Sequence, residues 1–133
     1  MLSYRRTTLW VKIVSLMNQV YDLLELLPAA EKFALDPQMR RAVTSIVFNY
    51  AEGYGRFHDR EFGNFLSITR GSLFEVDSQI CVCEERKFFP KDKCDAIHSI
   101  IDRIAYELTL FINKKKRDDK GKKQKRCDEE DAE

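Results

Sequence analysis

The sequence is poor in residues that break or turn a chain, with five glycines and three prolines among 133 residues. So few turn formers exclude a small all-β protein, whose many tight turns need them. It also lacks an apolar run of eighteen residues and a signal-peptide pattern. We therefore expect one cytoplasmic domain, without a membrane partner, that is long enough to bury a core.

Residues with distinctive chemistry are scarce as well. The four cysteines (Cys81, Cys83, Cys94 and Cys127) match no disulfide framework or zinc-finger spacing, so free thiols are expected. His98, one of two histidines, is interpreted as a helix-surface or boundary residue rather than a ligand. No Ser-His-Asp, Cys-His or glycine-rich phosphate pattern occurs at useful spacing. The sequence predicts no enzyme, no cofactor and no metal.

Charge is distributed unevenly, although the formal net charge is only +1. Residues 1–113 are close to neutral, with 14 basic and 15 acidic residues. Residues 114–126 hold nine basic and two acidic residues, and residues 127–133 hold five acidic residues and no basic one. A neutral domain thus carries a basic tail with an acidic tip.

Apolar residues recur with helical period in four segments, which predicts helices at about 8–27, 37–52, 59–86 and 92–113. Short connections between them favour an all-α fold, an antiparallel up-down-up-down four-helix bundle over residues 1–113. Residues 114–133 contain almost no apolar side chain. Because such a segment cannot offset its ordering entropy, we expect a disordered tail.

Several residues mark the predicted helix ends. Thr7 or Thr8 can cap the first helix, and Asp36 followed by Pro37 is a start signal for the second. Gly53 and Gly55 are expected to end that helix in the left-handed conformation. In the loop before it, Phe33 and Leu35 are expected to turn inward. Gly71 interrupts the third helix and predicts a close approach by a neighbouring element.

Polar residues share one face on each of the second and third helices, where apolar residues would be usual. We name this set the polar seam: Ser45, Asn49, Glu52, Ser72, Glu75 and Gln79. One interpretation pairs Glu52 with Glu75 for acid–base or metal chemistry, but the Glu-x-x-His motifs of dimetal bundles are missing. The favoured interpretation is structural, with the seam fixing the register of the two helices.

The run SIVFNYAEGYGR (residues 45–56), then Phe62, Phe65-Leu66 and GSLFE (residues 71–75), resembles the bacterial four helix bundle protein family. Its members include proteins encoded in intervening sequences of large-subunit ribosomal RNA genes. Upstream, residues 28–38 are similar to the family pattern P-x-x-E-x-F-x-L-x-x-Q. The resemblance covers about residues 8–112 and departs mildly at Tyr50 and Thr69.

This resemblance implies a bundle that assembles as a ring-shaped homopentamer. A distant relative is the accessory protein of diversity-generating retroelements, which binds a reverse transcriptase and nucleic acid. Three functions follow as hypotheses. The first is a non-enzymatic, homo-oligomeric protein that binds RNA or DNA. The second is an accessory scaffold for a reverse transcriptase, and the third is a structural oligomer with no nucleic-acid role.

Basic residues supply the candidate contacts to phosphate. They are Arg40, Arg41, Arg56, Arg60, Arg70, Lys114, Lys115, Lys116, Arg117, Lys122, Lys123, Lys125 and Arg126. The alternatives are ordinary exposed arginines balanced by nearby acids, and a tail that only keeps the protein soluble. Tyr54 and Phe57 could stack on unpaired bases, although packing on the bundle is the favoured interpretation.

Overall fold

Four α-helices make up most of the molecule in the computed structural model, which describes residues 2–133. Helix α1 covers Thr8–Leu24, α2 Leu35–Tyr54, α3 Asp59–Glu85 and α4 Lys91–Ala132. Short 3₁₀ turns at Ser3–Arg6 and Ala29–Glu31 precede α1 and α2. No β-strand occurs in residues 2–133. The predicted all-α class with four helices is confirmed.

The helices pack in chain order, and α1 closes the bundle against α4. Each helix contributes an apolar stripe at three- and four-residue spacing, as one face of an α-helix requires. On α4 this stripe consists of Cys94, Ile97, Ile101, Ile104, Leu108 and Ile112. The four stripes form one continuous core. None of the helices in residues 2–133 has the length and hydrophobicity needed to span a bilayer.

Aromatic rings close one end of the core. Tyr50 is completely buried, and its ring lies 5.3 Å from that of Tyr54 and 6.2 Å from that of Trp10, between centroids. The Tyr50 hydroxyl lies 2.7 Å from Thr7 Oγ1, which also accepts a hydrogen bond from the Trp10 amide. Burial raises the pKa of Tyr50. Thr7 therefore caps α1, as predicted, and also satisfies a buried phenol.

Several predictions for the second helix and the loop before it are wrong. Helix α2 begins at Leu35, so Asp36 lies inside its first turn and binds Arg40 instead of capping the helix. Phe33 remains 89% exposed just after the 3₁₀ turn, where the Lys32 ammonium lies 5.9 Å from the centre of its ring. Gly53 lies within α2, and no glycine in residues 2–133 has a positive φ. Gly55 follows the helix in right-handed geometry.

The close approach expected at one glycine occurs at another. A Cβ at Gly53 would stand 3.3 Å from both Phe62 Cδ1 and Phe65 Cβ, so this glycine permits the close approach of α2 and α3. A Cβ at Gly71 would meet nothing within 4 Å. The close contact predicted at Gly71 therefore occurs at Gly53.

The largest difference concerns residues 114–133, for which the sequence predicts disorder. The structure continues α4 to Ala132, and we call residues 113–132 distal α4. Its first turns pack on the start of α3, where the Lys115 ammonium lies 4.6 Å from the centre of the Phe62 ring. Lys115 and Lys122 both bind Asp59. The aliphatic part of a lysine covers apolar surface that the periodicity pattern does not register.

Candidate nucleic-acid interface

A groove runs between α3 and α4 at the end of the bundle from which distal α4 extends. It consists of two adjoining depressions of about 170 and 250 Å³, both lined by Ser67 and Lys116. We call it the α3–α4 groove. Its lining comprises Asp59, Arg60, Gly63, Asn64, Ser67, Arg70, Thr109, Ile112, Asn113, Lys115, Lys116 and Asp119.

Three cations in this groove have no acidic partner. No ion pair within residues 2–133 involves Arg60, Arg70 or Lys116. The Arg70 guanidinium donates a 3.1 Å hydrogen bond from Nε to Thr109 Oγ1 and lies 4.5 Å from the centre of the Phe74 ring. These contacts fix its position and leave its charge uncompensated. The groove is thus positively charged and partly preorganised.

The two carboxylates of the groove are already neutralised. Asp59 accepts hydrogen bonds from Lys122 and from Lys115, the latter at 3.3 Å. These bonds, with that from Lys122 the stronger, hold the pKa of Asp59 below its ordinary value. Asp119 pairs with Lys123 at 3.1 Å. Acidic side chains therefore do not cancel the charges of Arg60, Arg70 and Lys116.

The remaining predicted arginines lie elsewhere. Arg40 binds Asp36 and covers the Tyr21 ring, near the start of α2. Arg56 lies just beyond the end of α2, where it binds Glu52 and covers the Phe65 ring. Sixteen residues of helix correspond to about 24 Å, so these two arginines belong to opposite ends of the bundle. Arg41 is exposed near Arg40. The structure does not gather the five arginines into one patch.

Distal α4 carries the lysine-rich segment away from the bundle. Only Lys115 among its predicted contact residues is partly buried. The exposed members are Lys114, Lys116, Arg117, Lys122, Lys123, Lys125 and Arg126. Because these residues lie on one continuous helix, they form an extended, positively charged surface next to the groove.

The polar seam is only partly assembled. Ser45 Oγ and Ser72 Oγ are 2.8 Å apart across α2 and α3, and the Asn49 amide donates to Ser45 Oγ at 3.0 Å. Gln79 Nε2 makes a long 3.5 Å contact to the Gln38 carbonyl oxygen. Glu75 is exposed, and Glu52 binds Arg56, which lies just beyond the end of the same helix. Hydrogen bonds across the seam therefore come from Ser45, Ser72 and Gln79, without a pair of facing carboxylates.

The two candidate stacking residues have different environments. Tyr54 packs inside the aromatic end of the core, with its ring 4.7 Å from that of Phe62. Phe57 is 97% exposed in the connection between α2 and α3. Only Phe57 therefore has a free face on which a base could stack.

One cluster was missed by the sequence analysis. Asp77 and Cys81 lie one turn apart on α3, and both contact His98 of α4. The sequence contains no Cys-His pattern at useful spacing, and the two side chains meet only through the packing of α3 against α4. The i, i+4 spacing of Asp77 and Cys81 was visible, but the position of His98 depends on how α3 and α4 align.

The fold and the groove define the class of protein, a helical bundle with a positively charged groove at one end. The family model described as "23S rRNA-intervening sequence protein" matches residues 5–109. The chain therefore belongs to this family, which confirms the resemblance drawn from its motifs. A comparison with curated proteins finds no significant match.

A solved structure shows the same fold. It is the 1.70 Å crystal structure of a protein of unknown function from the S23 ribosomal protein family of Bacteroides thetaiotaomicron. The two chains are 20% identical and superpose with a TM-score of 0.73, over 79% of this chain and 98% of the other. At this level of identity the likeness concerns the fold alone.

Proposed function

We propose that this protein is a non-enzymatic nucleic-acid-binding protein whose α3–α4 groove contacts a phosphate backbone. The observation that carries the proposal is the set of three cations without acidic partners, Arg60, Arg70 and Lys116, in one groove. The family description, which names a 23S rRNA intervening sequence, supports RNA as the first ligand to test.

The spacing of the groove suits a polyanion. Arg60 and Arg70 are ten residues apart on α3, or about 15 Å along the helix axis. Asn64, Ser67 and Asn113 provide hydrogen-bond donors around these cations. Contacts of this kind go to phosphate and sugar, so they position a nucleic acid without reading its sequence. We therefore expect weak sequence preference at the groove.

Distal α4 is proposed to extend this binding surface. Exposed lysines on a helix attract phosphate over the Debye length and lose that attraction in salt. The acidic tip, residues 127–133, repels a polyanion and limits the length of the useful surface. Groove and distal α4 together then give binding that is strong at low salt and weak at high salt.

The test is fluorescence anisotropy with a labelled RNA stem-loop and a single-stranded DNA, over a salt series. Arg60→Ala and Lys116→Ala should each lower the slope of log K against log salt by about 1. Arg103→Ala, which removes an exposed arginine on the α1 side of α4, is the matched control and should leave that slope unchanged. Absence of binding at low salt, or an equal loss with Arg103→Ala, would reject the proposal.

A second variant separates distal α4 from the groove. Changing Lys120, Lys125 and Arg126 to Gln keeps the contacts that Asp59 makes with Lys115 and Lys122, and it keeps the pair of Asp119 with Lys123. This variant should lower the salt slope further than Arg60→Ala, because it removes three charges. An unchanged slope would restrict binding to the groove and assign distal α4 a solubilising role.

We further propose that the protein acts as a homo-oligomer, a ring in keeping with the pentamer implied by the family resemblance. Phe48 on α2 and Ile68 on α3 are 67% and 49% exposed, on the two helices that carry the polar seam. Aromatic and large apolar side chains are enriched in the buried centre of subunit interfaces, which supports these two helices as the contact surface. Phe48→Glu should reduce the mass measured by light scattering, whereas a wild-type monomer would contradict the proposal.

The role as a reverse-transcriptase scaffold stays a prediction, because no contact within residues 2–133 favours it.

A further inference from the structure

A cysteine, a histidine and an aspartate converge between α3 and α4, outside the α3–α4 groove. The Cys81 sulfur lies 3.8 Å from His98 Nε2, and Asp77 Oδ1 lies 2.6 Å from His98 Nδ1. The potential ligand atoms of the three residues all fall within 4.8 Å of one another. Cys81 is exposed, and Asp77 and His98 are half-buried, so the cluster is open to small solutes.

Asp77 determines which nitrogen of the imidazole is available. Its carboxylate accepts a hydrogen bond from the Nδ1–H group, so in neutral His98 the lone pair is on Nε2. That nitrogen faces the Cys81 sulfur. A carboxylate on the far nitrogen is the usual arrangement for a histidine that binds a metal, because it fixes the ring and raises its basicity.

The distance between sulfur and nitrogen suits an ion between them. Bond lengths of about 2.3 Å to sulfur and 2.0–2.1 Å to nitrogen, at a tetrahedral angle, place the two ligand atoms about 3.6 Å apart. The observed separation is 3.8 Å. A thiolate combined with an imidazole selects zinc and other ions that accept soft ligands, rather than magnesium or calcium.

We propose that Cys81 Sγ and His98 Nε2 bind one Zn²⁺ ion per chain, with Asp77 orienting His98 and water completing the tetrahedron. Binding breaks the S–H bond of Cys81 and releases its proton to solvent, and the sulfur lone pair forms the bond to the metal. Two protein ligands make this a weaker site than the four-ligand sites of structural zinc. It is a binding site of its own, distinct from the proposed nucleic-acid surface.

The same side chains also resemble the order of a nucleophilic Cys-His-Asp triad, but the electrostatics favour a cation. Partial loss of water around the sulfur, followed by the carboxylates of Asp77 and Glu84, raises the pKa of the Cys81 thiol. A nucleophilic cysteine needs the opposite shift. The same two carboxylates attract a divalent cation, which then stabilises the thiolate directly.

The site is separate from the α3–α4 groove. Arg70, the groove residue on α3 nearest to the cluster in sequence, precedes Asp77 by seven residues, or about 10 Å of helix. Loss of metal binding and loss of nucleic-acid binding can therefore be measured independently. Variants of Cys81 should leave the salt slope of RNA binding unchanged.

Titration of the full-length, chelator-treated protein with Co²⁺, in the presence of a non-thiol reductant, tests the proposal. A thiolate-to-cobalt charge-transfer band should appear during the titration, fit to one site per chain, and disappear when Zn²⁺ is added. Cys81→Ser should abolish the band. Cys127→Ser and His58→Gln, which change an exposed cysteine and an exposed histidine elsewhere, are the matched controls and should keep it.

Asp77→Asn separates an orienting role from a structural one. It should weaken Zn²⁺ binding 10- to 100-fold in calorimetry, while circular dichroism and the melting temperature without metal change little. Mapping of thiol alkylation by mass spectrometry adds a measurement on the wild-type chain, in which Zn²⁺ should protect Cys81 and not Cys127. The proposal is overturned if wild type and Cys81→Ser bind cobalt equally, if the band depends on Cys127, or if zinc leaves Cys81 fully reactive.

Discussion

Helix α4 has two halves that are held in different ways. Residues 91–112 bury a stripe of six apolar side chains against the other three helices. Distal α4, residues 113–132, buries no side chain and touches the bundle through Lys115 and Lys122. Hydrophobic burial thus holds the first half, whereas helix propensity and a few charged contacts hold the second. One continuous helix thus contains a half that belongs to the core and a half whose side chains are mostly exposed.

The largest expected difference between the halves is in global stability. Leu108 is completely buried, so Leu108→Ala should lower the free energy of unfolding by about 2–5 kcal/mol. Lys125→Ala in distal α4 should change it by less than about 0.5 kcal/mol. Urea unfolding followed by circular dichroism measures both. Equal effects would mean that distal α4 belongs to the folding unit.

The sequence predicts the half that belongs to the core well and the other half poorly, for a physical reason. Apolar periodicity predicts the stripe from Ile97 to Ile112, because those residues face a core that any amphipathic helix would need. Distal α4 depends on Asp59, which lies far away in the chain and meets Lys115 and Lys122 only after α3 and α4 pack. A local pattern contains no information about such a contact.

The same reasoning applies to the candidate sites. The positive charge of residues 114–126 was evident, and so was the presence of arginines in α2 and α3. The sequence did not show which of these arginines would form ion pairs. Arg40 and Arg56 bind carboxylates in the folded chain, whereas within residues 2–133 Arg60 and Arg70 do not. The pairing of Cys81 with His98 likewise depends on the alignment of two helices.

A second prediction concerns the junction of the two halves. Asp59 is only 11% exposed and binds two lysines of distal α4, so Asp59→Asn should release much of this segment. Amide hydrogen exchange should show lower protection from about residue 115 onward, with residues 91–112 unchanged. Asp95→Asn, which breaks the pair with Lys91 near the start of α4, is the matched control. Its distal exchange should equal that of wild type.

Lowering the pH should also release distal α4 from its contacts with Asp59. The folded-state pKa of Asp59 is lowered by its bonds to Lys122 and Lys115, so the unfolded state takes up a proton more readily. The stabilisation is therefore complete above the ordinary pKa of about 3.9 and is lost as the pH falls through the lower folded-state pKa. Protection of distal amides should stay constant from neutral pH to about 5 and decrease below about 4. In Asp59→Asn this decrease should be much smaller, although Asp119 and the other tail acids still titrate; an equal decrease would assign the effect to those acids.

The smallest expected effect comes from replacing either of two glycines, Gly71 and Gly121, which both lie in open surroundings. A Cβ would meet nothing within 4 Å at Gly71 in α3 or at Gly121 in distal α4, so alanine is expected to favour the helix at both by up to about 1 kcal/mol. Gly71→Ala should raise the free energy of global unfolding by that amount, because α3 unfolds with the core. Gly121→Ala should leave that free energy unchanged and increase only the helicity and amide protection of residues 113–132. If both variants shift the global transition equally, the two halves of α4 unfold together, and the contacts of Asp59 couple them more strongly than two lysines would suggest.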